Sequence, residues 1–138
     1  MALNQISVFM ENKTGRLAEV TDVLGRGGIN LRAISIADTA DFGICRLIVN
    51  NPEKTLELLE KSGFTAKVST VLGIEVEDRP NGLAEILKVF QDNNVNIEYL
   101  YATLEKSGDS AVIIFKVEDL EHGSKIIQKH GWKEVVSL

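Results

Sequence analysis

The sequence predicts an α+β chain built from two βαββαβ units in tandem. Three observations carry this reading. The chain repeats itself once, apolar spacing alternates between strand and helix periods in the same order in both copies, and turn residues stand at matching places. Shifted by 66, Leu17-Ala18-Glu19 falls on Leu83-Ala84-Glu85, Val23 on Val89, and Ile29-Asn30 on Val95-Asn96. After a hairpin two residues longer in the second copy the shift becomes 68. Val49 then meets Val117, Glu53 meets Glu121, Lys61-Ser62-Gly63 meets Lys129-His130-Gly131, and Phe64 meets Trp132. A unit of this length present twice is a domain duplication, with expected domains at 1–71 and 72–138.

In the first copy Ile6, Val8 and Met10 alternate with other residues, the period of a half-buried strand. Asn12 to Gly15 is a turn. Leu17, Val20, Val23 and Leu24 recur at helical spacing, and Gly27-Gly28 stops that helix. Leu31 to Ala37 and Ile44 to Val49 are β-rich runs joined by a loop, Asp38 to Gly43. Asn51 caps a second helix with Pro52 in its first turn, where a missing N–H costs nothing. Leu56, Leu58 and Leu59 give that helix its apolar face, Ser62-Gly63 ends it, and Thr65 to Val71 is the last strand.

The second copy opens with Ile74 and Val76. Its first helix carries Leu83, Ile86, Leu87 and Phe90, and Asn93-Asn94 replace the two stop glycines, asparagine being the next best left-handed residue. Ile97 to Leu104 and Ala111 to Val117 are the middle strands. Asp119 starts the final helix, Ile126 and Ile127 pack it, Gly131 stops it, and Lys133 to Leu138 is the last strand.

A βαββαβ unit with right-handed crossovers gives an antiparallel sheet with both helices on one face, a ferredoxin-like sandwich. No linker separates the copies. Ala66, Val68, Thr70, Leu72, Ile74 and Val76 keep one parity through the junction, and Gly73 is the obvious bend. A rigid pseudo-twofold pair is the expectation.

Composition narrows the function. The 138 residues carry 15 Lys+Arg against 20 Asp+Glu, a net charge of −5, which disfavours nucleic acid as a partner because neutralising phosphates needs a basic face. No apolar run reaches the roughly 20 residues of a membrane helix. Met1-Ala2-Leu3-Asn4-Gln5 has no basic stretch followed by an apolar block, which predicts no secretory leader and a cytoplasmic location. The one cysteine, Cys45, excludes an internal disulfide, and no ligand set calls for a metal or other cofactor.

The candidate site is the turn between the first strand and first helix of each copy. It reads Asn12-Lys13-Thr14-Gly15-Arg16-Leu17 in one and Asp78-Arg79-Pro80-Asn81-Gly82-Leu83 in the other. Each is followed 18 residues after its first position by an asparagine, Asn30 or Asn96. A chain entering a helix presents unpaired N–H groups and partial positive charge to a carboxylate. Asn12 or Asp78 can accept from an ammonium, and Asn30 or Asn96 offers an amide to either group. Donors for a carboxylate with acceptors for an ammonium describe an α-amino acid, although Asn, Gly and Pro also populate turns for local reasons.

At these residues the chain resembles the ACT-domain family, twice over nearly its whole length, and is most similar to small stand-alone tandem pairs without a catalytic domain. Thr14 stands where the family pattern has proline, and Asn81-Gly82 displace the usual glycine by one. The resemblance implies an amino-acid ligand bound between paired units, contacting Met10, Asn12, Lys13, Thr14, Gly15, Arg16, Leu17, Ile29 and Asn30 in the first copy. In the second it implies Asp78, Arg79, Pro80, Asn81, Gly82, Leu83 and Asn96. It also implies a non-catalytic regulatory role and a partner enzyme of amino-acid metabolism such as acetolactate synthase; edge strands left open invite a homodimer through sheet extension. The alternative on the same fold is an acylphosphatase-like enzyme, which needs a glycine-rich phosphate cradle beside its arginine. Tyr99 and Tyr101, on one strand face, are candidates either for lining a ligand pocket or for cross-strand packing.

Overall fold

The computed structural model describes residues 3–38, 41–103 and 110–138. The chain divides into two compact units inside one strand: a first unit, Asn4–Ser69, and a second, Thr70–Ser137 joined by Leu3. The elements are β1 (Leu3–Glu11), α1 (Arg16–Arg26), β2 (Leu31–Asp38), β3 (Phe42–Val49), α2 (Pro52–Lys61) and β4 (Thr65–Glu77). They continue with α3 (Gly82–Asp92), β5 (Ile97–Ala102), β6 (Ser110–Val117), α4 (Leu120–Lys129) and β7 (Glu134–Val135). Met1, Ala2, Thr39, Ala40 and Leu104, on which sequence expectations fell, lie outside the described residues.

In the first unit the strand order is β2-β3-β1-β4, with β3 antiparallel to both neighbours. Alternation does the sorting. Ile6 and Val8 of β1 and Cys45 and Leu47 of β3 point to one face, where Val20 and Leu24 of α1 and Leu59 of α2 complete the buried cluster. Leu17 departs from the expected apolar stripe: it is exposed at the start of α1. The flanking strands reach into the expected loop 38–43: Asp38 pairs with Gly43 and β3 begins at Phe42.

The second unit repeats the order, with β5-β6-β4 antiparallel and β7 also on β4. Leu72, Ile74, Phe115 and Val117 meet Ile86, Phe90 and Ile127 in its core, where the rings of Phe90 and Phe115 stand edge to face with centroids 5.5 Å apart. Each unit's second strand carries a register shift at the equivalent place, between Leu31 and Ala33 and between Ile97 and Tyr99.

The structure corrects two expectations. Gly73 is no bend: β4 runs through it without interruption, and a Cβ there would lie 2.9 Å from the Val135 carbonyl oxygen and 2.6 Å from a Leu3 methyl. Its missing side chain lets β7 approach. The final strand is Glu134–Val135 rather than 133–138: these two residues pair with Ile74 and Gly73, and just before them the Lys133 carbonyl oxygen accepts from the Glu75 N–H.

Candidate functional site

Each unit's first strand ends in a glutamate and turns into a helix whose N-cap is left-handed. After Glu11, the Asn12 N–H donates to the Asp41 carbonyl oxygen at 3.0 Å and the Arg16 N–H to that of Lys13 at 3.3 Å. Gly15 caps α1 at φ +91° and has no side chain to accept from the first turn. After Glu77, the Gly82 N–H donates to the Arg79 carbonyl oxygen at 3.1 Å, and Asn81 caps α3 at φ +68°, again with no side-chain acceptor. The second helices differ. Asn51 accepts from the Lys54 N–H and Asp119 from the His122 N–H, so α2 and α4 are closed by their own sequence. The N-caps of the first helices supply no such acceptor, and a helix start carries partial positive charge that suits an anion.

Beside the first loop lies a cavity of about 290 Å³ within the first unit, walled by Phe9, Met10, Phe42 and Phe64, with Glu11, Arg16 and Glu19 at its polar side. The Ser62–Thr65 segment between α2 and β4 forms the remaining wall. The matching hollow of the second unit measures about 160 Å³. It is lined by Glu75, Glu77, Arg79, Gly82, Glu85, Trp132 and Lys133 among others.

The two polar sides are variations on one arrangement. Glu11 and Glu77 occupy equivalent places, as do Glu19 and Glu85. A guanidinium bridges each pair, but it comes from different positions. In the first unit Arg16, the first residue of α1, hydrogen-bonds Glu19 at 2.9 Å and stands 3.5 Å from Glu11. In the second, Arg79 from the loop binds Glu77, both Glu85 oxygens at 3.1 and 2.9 Å, and the Pro80 carbonyl oxygen at 3.3 Å. The hydrogen bonds that Arg79 donates to Glu77 and then to Glu85 raise its pKa above its already high value. Gly82 stands where Arg16 does, and a Cβ there would strike the Glu77 carbonyl oxygen. The second unit therefore has room for its arginine only on the loop. Arg79 turns to the two glutamates.

The other sequence candidates divide. Met10 and Arg16 line the first cavity, and Arg79 and Gly82 the second. Asp78 borders a shallower hollow with Glu77, Arg79 and Ser110. Asn12, Lys13, Thr14, Gly15, Leu17, Pro80 and Asn81 are exposed around the loops, and Leu83 is half-buried. Lys13 pairs with Glu11 at 3.4 Å. Ile29 is buried in the first core. Asn30 sits beyond the far end of α1, where its N–H donates to the Asn50 side chain at 3.1 Å; Asn96 likewise donates to Glu118 at 3.2 Å. The 11 residues of α1 span roughly 16 Å, so a single unit does not close Asn12 and Asn30 on one small ligand.

Tyr99 and Tyr101 stack on each other with centroids 6.4 Å apart and line neither loop cavity. Burial pushes the Cys45 thiol up to about 11, the behaviour of an inert core thiol. The His122 ring contacts the Asn93 carbonyl oxygen at 2.8 Å, and His130 stacks on Trp132.

Sequence reasoning missed Phe9, Phe42, Phe64, Glu11 and Glu19 as cavity residues. The two glutamates were findable, because both recur unchanged at the shift of 66.

Comparison with known proteins agrees with this architecture. Protein BT0572 from Bacteroides thetaiotaomicron superimposes with a TM-score of 0.91 at 34% identity, over 98% of this chain and 92% of that one. The ligand-free regulatory subunit of aspartate kinase from Thermus thermophilus shares the fold, with a TM-score of 0.67 at 18% identity over 95% and 94% of the two chains. The acetolactate synthase small subunit of Buchnera aphidicola subsp. Baizongia pistaciae is 28% identical over 97 residues. That match covers 68% of this chain and 59% of the relative, less than two thirds of its length. The family model described as an ACT domain pair matches residues 1–136, and the chain belongs to that family.

Proposed function

We propose that this chain is a non-catalytic regulatory protein that binds a free amino acid at the loop of its first unit and passes that occupancy to an enzyme of amino-acid metabolism. Acetolactate synthase is the first candidate partner, on the likeness to the Buchnera small subunit. One observation carries the choice of loop. Among the described residues Arg16 spends a single hydrogen bond on Glu19, whereas Arg79 spends four on its own chain. Arg16 thus keeps donors for a ligand carboxylate beside an uncapped helix start, and a planar guanidinium suits that anion. Glu11, Glu19 and the Asn12 side chain are the acceptors for the ammonium. Because Asn12 and Asn30 stand at opposite ends of α1, a clamp using both draws them from two copies of the unit, which fits a homodimer. Binding that favours one arrangement of those copies shifts a bound enzyme by the difference in affinity.

The test is calorimetric titration with the twenty amino acids, on the parent chain and on Arg16→Gln and Arg79→Gln. A charged hydrogen bond is worth about 1.5–3 kcal/mol, so Arg16→Gln weakens binding tenfold or more while Arg79→Gln leaves it nearly unchanged. Absence of any amino-acid affinity, together with hydrolysis of an acyl phosphate, selects the acylphosphatase alternative.

A further inference from the structure

We infer that the first-unit cavity selects an amino acid with an aromatic side chain and that each chain binds one such molecule. The inference rests on the proposed amino-acid site and names its ligand class.

The chain has five phenylalanines. Phe90 and Phe115 belong to the second unit's core. The other three, Phe9, Phe42 and Phe64, come from β1, the start of β3 and the turn before β4, and all face one cavity. Phe9, over whose ring the Lys67 ammonium stands 5.6 Å from the centroid, is 37% exposed and Phe42 61%, so aromatic surface is left at the cavity for an occupant to bury. The occupant must also satisfy Arg16 at the polar side. A ring attached to an α-amino acid meets both demands: aromatic faces and edges pair with the three phenylalanines, and the carboxylate reaches the guanidinium. Apolar walls with a few convergent polar groups are the usual make-up of a small-molecule site.

The second unit shows what the same place looks like without such a ligand. Phe9 becomes Glu75. Phe42, which pairs with Glu11, becomes Ser110, which pairs with Glu77. The Ser110 hydroxyl donates to Glu75 at 2.7 Å, and Lys133 closes on the other Glu75 oxygen at 3.1 Å. These groups satisfy one another: the hollow at Glu75 and Lys133 measures about 160 Å³, and the more open one at Ser110 is walled by Glu77, Asp78 and Arg79 with no aromatic ring. Hence one site per chain.

The experiment titrates the full chain with L-phenylalanine, L-leucine, L-alanine and L-aspartate, then repeats it with Phe42→Ser, Phe64→Leu and Arg16→Gln. L-phenylalanine is expected to bind at one per chain and at least tenfold tighter than L-alanine or L-aspartate. Phe42→Ser and Phe64→Leu each lower its affinity fivefold or more, and Arg16→Gln lowers it tenfold. Binding of L-alanine or L-aspartate that depends on Arg16 and ignores Phe42 overturns the aromatic inference and keeps the amino-acid site. Binding of none, or binding insensitive to all three variants, overturns both. If Phe42→Ser instead turns a dimer into a monomer in size-exclusion chromatography with amino-acid affinity unchanged, the rings cover a second copy of the chain and the inference falls.

Discussion

The loop of the first unit and the loop of the second descend from one pattern and now solve different problems. Both hold a pair of glutamates across the mouth of a helix start, and both bridge them with an arginine. In the second unit the bridge is complete: Arg79 is tied at Nε and at both terminal nitrogens, and its neighbours Glu75, Ser110 and Lys133 are tied to one another. In the first, Arg16 makes one hydrogen bond, to Glu19, and a looser ion pair with Glu11 at 3.5 Å, and the wall beside it is phenylalanine. A self-satisfied polar network has little left to offer a ligand, because each donor it lends must first be taken from a partner. An open arginine beside aromatic walls is in the opposite position. On the proposed reading, duplication followed by such divergence leaves one half to bind and the other to hold shape.

This comparison breaks most visibly at the glycines. Gly82→Ala places a methyl against the Glu77 carbonyl, and overpacking of this kind costs about 1–3 kcal/mol. Gly15→Ala meets nothing within 4 Å. Its left-handed backbone costs about 1–2 kcal/mol, offset in part by the stiffer unfolded chain. Urea denaturation should therefore rank Gly82→Ala as the more damaging. The reverse ranking removes the steric reason why the second unit carries its arginine on the loop.

A smaller effect separates the two arginines in the absence of ligand. Arg79→Gln breaks four hydrogen bonds and Arg16→Gln one. Arg79→Gln should lower the melting temperature further, and the gap between the variants should narrow as salt screens these exposed pairs. Equal melting temperatures at low salt would mean that the second loop is no better tied than the first.

The smallest effect is in pH dependence. The hydrogen bond from Ser110, followed by that from Lys133, holds the Glu75 carboxyl below its ordinary 4.5. A depressed folded pKa contributes stability that is present above 4.5 and is lost as pH falls through the lower folded value. Glu75→Gln should thus be less stable than the parent at pH 7, with the difference fading towards pH 3. Phe9, at the equivalent place in the first unit, gives no such titration. A constant difference across that range would show that the Ser110–Glu75–Lys133 network does not hold the second hollow closed.

Much of this was legible in the residues. Coincident Leu-Ala-Glu triplets, asparagines 18 residues after each loop start and the match of Phe64 to Trp132 revealed two copies of one unit. Strand and helix periods, the Asn51-Pro52 start and the Asn93-Asn94 stop then ordered the elements within each copy. These are local signals: side-chain period and backbone preference act between residues a few positions apart, so a linear reading captures them. The length of β7 escaped, because a strand exists only where another backbone offers partners. The cavity escaped for the same reason. Phe9, Phe42 and Phe64 are strangers in sequence and become neighbours only when β1, β3 and the turn before β4 are laid side by side. That Arg16 and Arg79, three positions out of register in the repeat, serve equivalent glutamate pairs was likewise settled by the fold. A long side chain reaches across space from whichever position has room for its Cβ, and room at Gly82 is fixed by the carbonyl of Glu77.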